Sequence, residues 1–123
     1  MSESRTTEST TVISMEGLEF VPSKDEDKVG VEVATIDWFD LIQAKVFKYP
    51  EGYEAPLHRL SGPILLTVLK GRVEFEDIDG HIEIAEAGMF RKCGETPWKS
   101  TILEESYILV IEKEDTKTIP VKE

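Results

Sequence analysis

The sequence predicts an all-β sandwich or barrel. Apolar and polar residues alternate in several short segments, and turn signals recur about every ten residues. No segment carries an amphipathic helical stripe with capping residues at its ends. The 123 residues suit a single domain that can bury one hydrophobic core.

The predicted strands follow from period-2 alternation or from short buried runs. In chain order they are 30–37 (GVEVATID), 43–49 (QAKVFKY), 64–69 (ILLTVL), 72–77 (RVEFED), 81–86 (HIEIAE), 107–111 (YILVI) and an edge strand at 116–121. The dipeptide Asp79-Gly80 predicts a two-residue hairpin turn, with His81 at a barrel end on the surface. Segment 38–47 (WFDLIQAKVF) is interpreted as a turn and a strand, because its β-branched and aromatic content is high.

Charge and composition exclude several classes of partner. The chain has 25 acidic and 14 basic residues and a formal charge of −11, so phosphates would be repelled. We therefore expect neither nucleic acid nor a membrane surface as partner. A single cysteine excludes an internal disulfide, and the polar start of the chain lacks the apolar core of a secretory signal. The longest apolar run, 64–69, is too short to span a bilayer, which predicts a cytoplasmic protein.

Domain organisation follows from the first residues. Residues 1–11 are rich in Ser, Thr and Glu and predict a disordered arm. Residues 12–123 are then expected to form one barrel domain.

Residues 52–71, GYEAPLHRLSGPILLTVLKG, place glycines and a histidine at fixed intervals. The segment resembles the first motif of the cupin family, which has a glycine, a His-x-His pair, a glutamate and a second glycine. Gly52, His58 and Gly71 match this motif, whereas Leu60 replaces the second histidine and Ile64 replaces the glutamate.

A second segment, GMFRKCGETPWKSTIL from Gly88, resembles the second cupin motif. Gly88 matches, and Gly94 and Thr96 stand where the motif has its proline and next glycine. Lys99 replaces the third metal-binding histidine, and Leu103 replaces the asparagine. The resemblance covers residues 30–113 and implies a double-stranded β-helix, or jelly-roll barrel, with an interior pocket.

In metal-binding cupins, three imidazoles and one carboxylate hold a divalent transition metal inside the barrel. Of the four corresponding residues here, only His58 can serve as a metal ligand, because leucine and isoleucine have no donor atom and the lysine ammonium is protonated. We therefore expect no cofactor, and a divalent transition metal would need replacement ligands. The candidates that lie near the motifs are Glu51, Tyr53, Glu54 and Cys93.

The resemblance places five residues in the ligand pocket: His58, Leu60, Ile64, Trp98 and Lys99. His58 is interpreted either as a general base or hydrogen-bond donor in the pocket, or as a core histidine bonded to a backbone carbonyl. Lys99 either points inward in place of the metal or, with the strand shifted by one residue, points outward while Trp98 faces the interior. Inward Leu60 and Ile64 make the pocket apolar, so a partly hydrophobic ligand is expected.

Other side chains near the motifs have plainer interpretations. Cys93, in a further predicted strand, is expected to be a buried structural thiol. Arg91 and Lys92 are basic neighbours of the kind that lower the pKa of a thiol, but sequence neighbours on a strand point to opposite faces, so the expectation of a buried thiol is kept. Trp38 and Phe39, together with Trp98, either line a pocket mouth or serve as core or dimer contacts.

Three functional hypotheses follow. The first is a binding or regulatory module for a small molecule. The second is a metal-free isomerase or epimerase, with His58 as base and Lys99 stabilising an oxyanion. The third is a metal-dependent enzyme of the dioxygenase type with replaced ligands. The resemblance also implies a homodimer, for which segment 11–21 would serve as an exchanged strand, or else as a plain edge strand.

Overall fold

Nine β-strands make up almost all regular structure in the computed structural model, which describes residues 13–25, 28–36 and 41–122. A 3-10 turn at Met15–Gly17 precedes them. The strands are β1 Val21–Pro22, β2 Glu32–Ile36, β3 Ile42–Tyr49, β4 Glu54–Leu60, β5 Ile64–Asp77, β6 Ile82–Glu86, β7 Phe90–Cys93, β8 Trp98–Lys113 and β9 Thr118–Pro120. The all-β prediction is confirmed.

The two longest strands, β5 and β8, pair with each other along their lengths and join two layers. In the first layer, the start of β5 and the end of β8 are extended by β3, β2 and β1 on one side and by β7 on the other. In the second layer, the end of β5 and the start of β8 are extended by β4 and β9 on one side and by β6 on the other. All these pairs are antiparallel.

One continuous strand stands where the sequence predicted two, at 64–69 and 72–77. Gly71 adopts a φ of +101°, and the register of β5 against β8 shifts between Val68 and Val73. A glycine and a bulge let a strand bend sharply without ending. The bend carries β5 from one layer to the other, so the sequence signal for a break marks a corner.

The core lies between the facing sides of the two layers. Val68 and Val73, on either side of the bend, are 0% and 1% exposed, and Ile108 and Ile102 stand opposite them on β8. Alternation along each strand places these apolar side chains inward, as the period-2 patterns predict. One buried cluster therefore joins both layers.

The predicted hairpin turn between β5 and β6 is confirmed. Gly80 has a φ of +86°, and its N–H donates to the carbonyl of Asp77 at 3.0 Å. The Asp77 side chain accepts from the N–H groups of Asp79 and His81, at 3.0 and 2.9 Å. His81 is exposed at this end, as expected.

The remaining predicted strands also correspond to observed ones. The edge strand expected at 116–121 is the shorter β9, which pairs with β4. The arm at 1–11 and the aromatic pair Trp38 and Phe39 lie outside the described residues. Across the part of the chain that is described, no helix is long and apolar enough to cross a membrane.

Candidate functional site

A cavity of about 550 Å³ opens between the two layers. This volume falls in the range of natural small-molecule sites. Its walls are mainly aliphatic and aromatic, from Phe47, Tyr49, Tyr53, Leu57, Leu60, Ile64, Leu66, Val73, Phe75, Trp98, Ile102, Ile108 and Val110. Exposed lining residues such as Asp25, Glu114 and Lys117 mark where the cavity meets solvent.

His58 lies on β4 and lines this cavity. The pairing of β4 with β8 is irregular between Ala55 and His58, so β4 presents Leu57, His58 and Leu60 to one space. Nδ1 of His58 lies 2.7 Å from the carbonyl oxygen of Pro56. Because a carbonyl can only accept, Nδ1 carries the hydrogen and Nε2 carries the lone pair of the neutral ring. The backbone carbonyl expected for a core histidine is present, and it orients an imidazole that also lines the cavity. A role as general base or donor stays a prediction.

Trp98, rather than Lys99, faces the cavity. Trp98 is 4% exposed, and its ring centroid lies 4.4 Å from that of His58. Lys99 lines a separate pocket of about 460 Å³ with Glu54, Glu74 and Glu76. Successive residues of a strand point to opposite sides, so the two side chains cannot share one space. The sequence left two alternatives open, and in the structure Lys99 points away from the cavity while Trp98 faces it.

Leu60 and Ile64 line the cavity at the positions that would hold metal ligands in the family. They are 6% and 9% exposed and belong to the buried core cluster. The residues present do not fit the family's metal, because neither offers a donor atom and Lys99 lies elsewhere. Over the described ranges, no group of three His, Cys, Asp or Glu side chains is placed to hold a metal ion. The candidate replacement ligands Glu51, Glu54 and Cys93 are thus not brought together as such a group, whereas Tyr53 lines the cavity.

Behind the cavity wall, Arg91 joins the two layers. Its guanidinium lies 4.7 Å from the Phe75 ring and 5.3 Å from the Trp98 ring. Nε lies 3.6 Å from a Glu83 oxygen, an ion-pair distance that is too long for a hydrogen bond. Stacking on two aromatic faces holds the cation in place and fixes Trp98 beside His58. Arg91 is therefore a positioning residue for the cavity wall.

Cys93 is buried, as expected, but its pKa moves in the opposite direction to the one the basic neighbours imply. Burial raises the pKa of the thiol, and the guanidinium of Arg91, whose Nη1 donates to Sγ at 3.0 Å, only partly opposes this. Arg91 reaches Cys93 because residues two apart on a strand share a face, whereas Lys92 points away. The thiol is structural rather than reactive at neutral pH.

Charged side chains gather near the opening. Lys45 and Glu112 line the cavity from β3 and β8, and Lys28 lines it from the segment before β2. Burial raises the pKa of Glu112 above its ordinary 4.5, Lys45 and Lys28 oppose this rise, and Asp25 adds to it. These groups form the polar end of an otherwise apolar cavity.

We expect the substitution Glu112→Gln to make the protein more stable at pH 7. The folded wild type keeps the Glu112 proton at pH values where the unfolded chain has lost it. That contribution is present below the ordinary value of 4.5 and is lost as the pH rises through the higher folded pKa. Urea unfolding at pH 4.5 and pH 7 should show a smaller loss of stability for the variant over this interval. Parallel pH profiles for the two proteins would contradict the prediction.

Several cavity residues were missed by the sequence reasoning, although a signal for them exists. Along QAKVFKY, residues Lys45, Phe47 and Tyr49 have the same parity and therefore the same face. Glu112 shares parity with the buried Ile108 and Val110 in the same way. Period-2 alternation thus places Lys45 and Glu112 on the cavity side once Phe47 and Val110 are known to line the cavity.

No protein-family model and no curated protein matches this sequence. Solved structures do match it. The polyketide cyclase RemF from Streptomyces resistomycificus has a TM-score of 0.71 at 13% identity, covering 93% of this chain and 88% of that one. An RmlC-like cupin protein from Desulfovibrio desulfuricans has a TM-score of 0.60 at 18% identity, with 91% and 98% covered.

The DMSP lyase DddQ from Ruegeria pomeroyi matches with a TM-score of 0.64 at 15% identity. The match covers 85% of this chain, which spans 61% of the lyase. At such identities these likenesses show the fold alone. The chain has the cupin fold, so the jelly-roll architecture implied by its two motifs is confirmed.

Proposed function

We propose that this protein binds a small, partly hydrophobic molecule in the cavity between its two layers. One observation carries the proposal. The cavity keeps a volume of about 550 Å³, although leucine and isoleucine occupy the family's ligand positions. Side chains that served only to fill a core would pack it densely, with few voids larger than a water molecule. An open apolar interior with an oriented imidazole is instead typical of a binding site.

The polar groups on the walls give the site its specificity. Tyr49 and Tyr53 line the cavity with His58, and the rings of the two tyrosines lie 5.2 Å apart. Phenol and imidazole groups present hydrogen-bonding tips on apolar bodies, which suits a ligand with few polar atoms. This arrangement supports a binding or regulatory role.

The two enzymatic alternatives have less support. The metal-free isomerase needs His58 and Lys99 in one cavity, and these residues line different pockets. The metal-dependent enzyme needs replacement ligands, and the described residues offer no such group. Solved neighbours with a cyclase or lyase activity share the fold, and a fold hosts many functions. The homodimer and the cytoplasmic location stay predictions from the sequence.

We expect that filling the cavity abolishes binding while leaving the fold intact. Leu66 and Val110 face each other across β5 and β8 and line the cavity, so Leu66→Trp with Val110→Phe reduces its volume. The probe is 4-phenylbutanol, a neutral amphiphile, titrated by calorimetry. Its affinity should fall at least about tenfold, because tenfold corresponds to the free energy of burying roughly two methylene groups.

A matched control uses the neighbouring pair on the other side of the same strands. Leu65 stands opposite Ile111, and neither residue lines the cavity. Leu65→Trp with Ile111→Phe adds the same bulk outside, so the affinity for 4-phenylbutanol should stay at the wild-type value. Equal losses in the two double variants would count against the cavity as the site, as would a wild type that binds no amphiphile.

A further inference from the structure

Two lysines and one glutamate form a part-buried ionic group at the opening of the cavity. The Lys28 side chain is only 17% exposed, although lysine is almost always solvated. Its partner Asp25 is 63% exposed, and their charged atoms are 3.8 Å apart, so this ion pair is weak. The Lys28 ammonium lies 5.9 Å from the centre of the Phe47 ring, which is part of the cavity wall.

Lys45 lines the same cavity from β3. It pairs with Val110 on β8, and the next pair of residues on the same side of these two strands is Gln43 with Glu112. On the other side of Glu112, β5 presents the apolar Ile64. Glu112 therefore meets cations on one side and hydrocarbon on the other.

The part-buried charges do not balance. The other charged lining residues in the described part of the chain are Asp25, Glu114 and Lys117, which are exposed, so solvent and salt screen their charges. Among the less exposed lining residues of the ranges that the structure describes, there are two ammonium groups and one carboxylate, in a chain whose formal charge is −11. Such a concentration of positive charge at the opening of an apolar cavity favours an anionic group on the ligand.

We infer that the ligand is a carboxylic acid with an apolar body, whose carboxylate lies beside Lys28, Lys45 and Glu112 at the opening. This inference rests on the proposed binding function and specifies the chemical class of the ligand. The hydrocarbon part of the acid contacts the aliphatic walls, and the carboxylate completes the ionic group. A lysine ammonium has three donor hydrogens, so each can serve a second acceptor.

The protonation of Glu112 links ligand binding to pH. Burial already favours the neutral form of this residue, and a second carboxylate beside it favours that form further. A neutral Glu112 donates a hydrogen bond to the ligand carboxylate, as in other pairs of carboxyl groups that share one proton. Binding of the acid therefore favours uptake of a proton by Glu112, and its affinity rises as the pH falls. The other titratable groups that line the same cavity are Lys45, Lys28, Asp25, Glu114 and Lys117, together with His58 on β4.

Three probes of equal length test the charge class by calorimetry on the full chain. They are 4-phenylbutyrate, 4-phenylbutanol and 4-phenylbutylamine, which carry a carboxylate, a hydroxyl and an ammonium group on the same apolar body. At pH 7 the acid should bind about tenfold more tightly than the alcohol, since its carboxylate is attracted to the two ammonium groups and the neutral hydroxyl has no such Coulombic attraction. The amine should bind more weakly than the alcohol.

Charge variants locate the carboxylate. Lys45→Met should reduce about tenfold the preference of the protein for the acid over the alcohol, measured as the ratio of the two affinities. Lys113→Met is the matched control, because exposed Lys113 follows Glu112 in sequence and does not line the cavity. Glu112→Gln should tighten binding of the acid and remove its pH dependence. Binding of the alcohol also verifies that each variant is folded.

The possible outcomes separate the two proposals. In one outcome the alcohol binds the wild type and its binding is lost when the cavity is filled, but the acid binds no more tightly than the alcohol, or Lys45→Met leaves the preference for the acid unchanged. The binding function then stands and the carboxylate class is wrong. An amine that binds more tightly than the alcohol would likewise overturn the carboxylate class. If none of the three probes binds, the binding function itself fails, and the inference fails with it.

Discussion

Gly71→Ala is expected to lower the free energy of unfolding by about 3 kcal/mol, the sum of a backbone cost and a steric cost. Gly71 has a φ of +101°, which a residue with a Cβ adopts only under strain. A Cβ there would stand 2.6 Å from the carbonyl oxygen of Glu105 and 2.7 Å from the Cα of Ser106, and it would also overlap the Ser106 hydroxyl oxygen. Backbone atoms cannot rotate away, so β5 and β8 would have to separate.

Gly71 approaches Ser106 at the point where both long strands, β5 and β8, pass from one layer to the other. Ser106 is fully buried, and its hydroxyl donates to the carbonyl of Glu104 at 2.7 Å. Moving Ser106 would therefore disturb the corner of β8 as well as that of β5. Because this corner sets one layer over the other, the substitution should also weaken binding of apolar probes in the cavity.

Gly88→Ala separates the two costs. Gly88 also belongs to the family motifs and has a φ of +91°, but an added Cβ there would meet nothing within 4 Å. We expect it to lose only the backbone term, about 1 kcal/mol. Urea unfolding of both variants measures the difference, and similar losses for Gly71→Ala and Gly88→Ala would show that the close approach at Ser106 is not the cause.

Leu60→His combined with Ile64→Glu is expected to create a transition-metal site. Both residues line the cavity with His58, so the double variant has two imidazoles and a carboxylate in one space. The carbonyl of Pro56 already holds Nδ1 of His58, as backbone carbonyls do for metal-binding histidines, and this directs Nε2 to a metal. Structural zinc sites with four ligands bind with about 10–16 kcal/mol, so two added ligands should raise the affinity for Zn²⁺ at least about a hundredfold.

The measurement is Zn²⁺ titration by calorimetry, with elemental analysis of the purified variant. His58→Ala in the same background should remove most of the gained affinity, which identifies His58 as a ligand. If the double variant binds Zn²⁺ no more tightly than the wild type, the replaced residues are not what prevents metal binding in this cavity. Unfolding measured without metal verifies that the new polar groups leave the fold intact.

Local patterns predicted the elements of this fold well. Alternation in GVEVATID predicted strand β2, alternation in RVEFED predicted the second half of β5, and Asp79-Gly80 predicted the hairpin turn before β6. These signals lie within a few residues, and their cause is the two-residue period of a strand or the conformation of a turn. The glycine spacing around His58 added the fold family, because those glycines stand where the backbone turns or bends.

Which of the two side chains, Trp98 or Lys99, points into the cavity depended on tertiary structure. Both residues are compatible with a strand, and a shift of one residue exchanges their sides. The register is set by pairing Trp98 with His58 on β4 and with Asp77 on β5. No local pattern near residue 98 records those partners, since they are 40 and 21 positions away in sequence.

The sequence by itself determined that this chain forms strands and where most of them lie. It also placed Leu60 and Ile64 at positions where the motif it resembles has metal ligands. Only the tertiary structure decided that β5 continues through Gly71, that Trp98 faces the cavity, and that Lys28, Lys45 and Glu112 share its opening. The physical reason is one of range. Strand periodicity is a property of neighbouring residues, whereas a site is formed by side chains from strands that meet only when long-range pairing fixes their register.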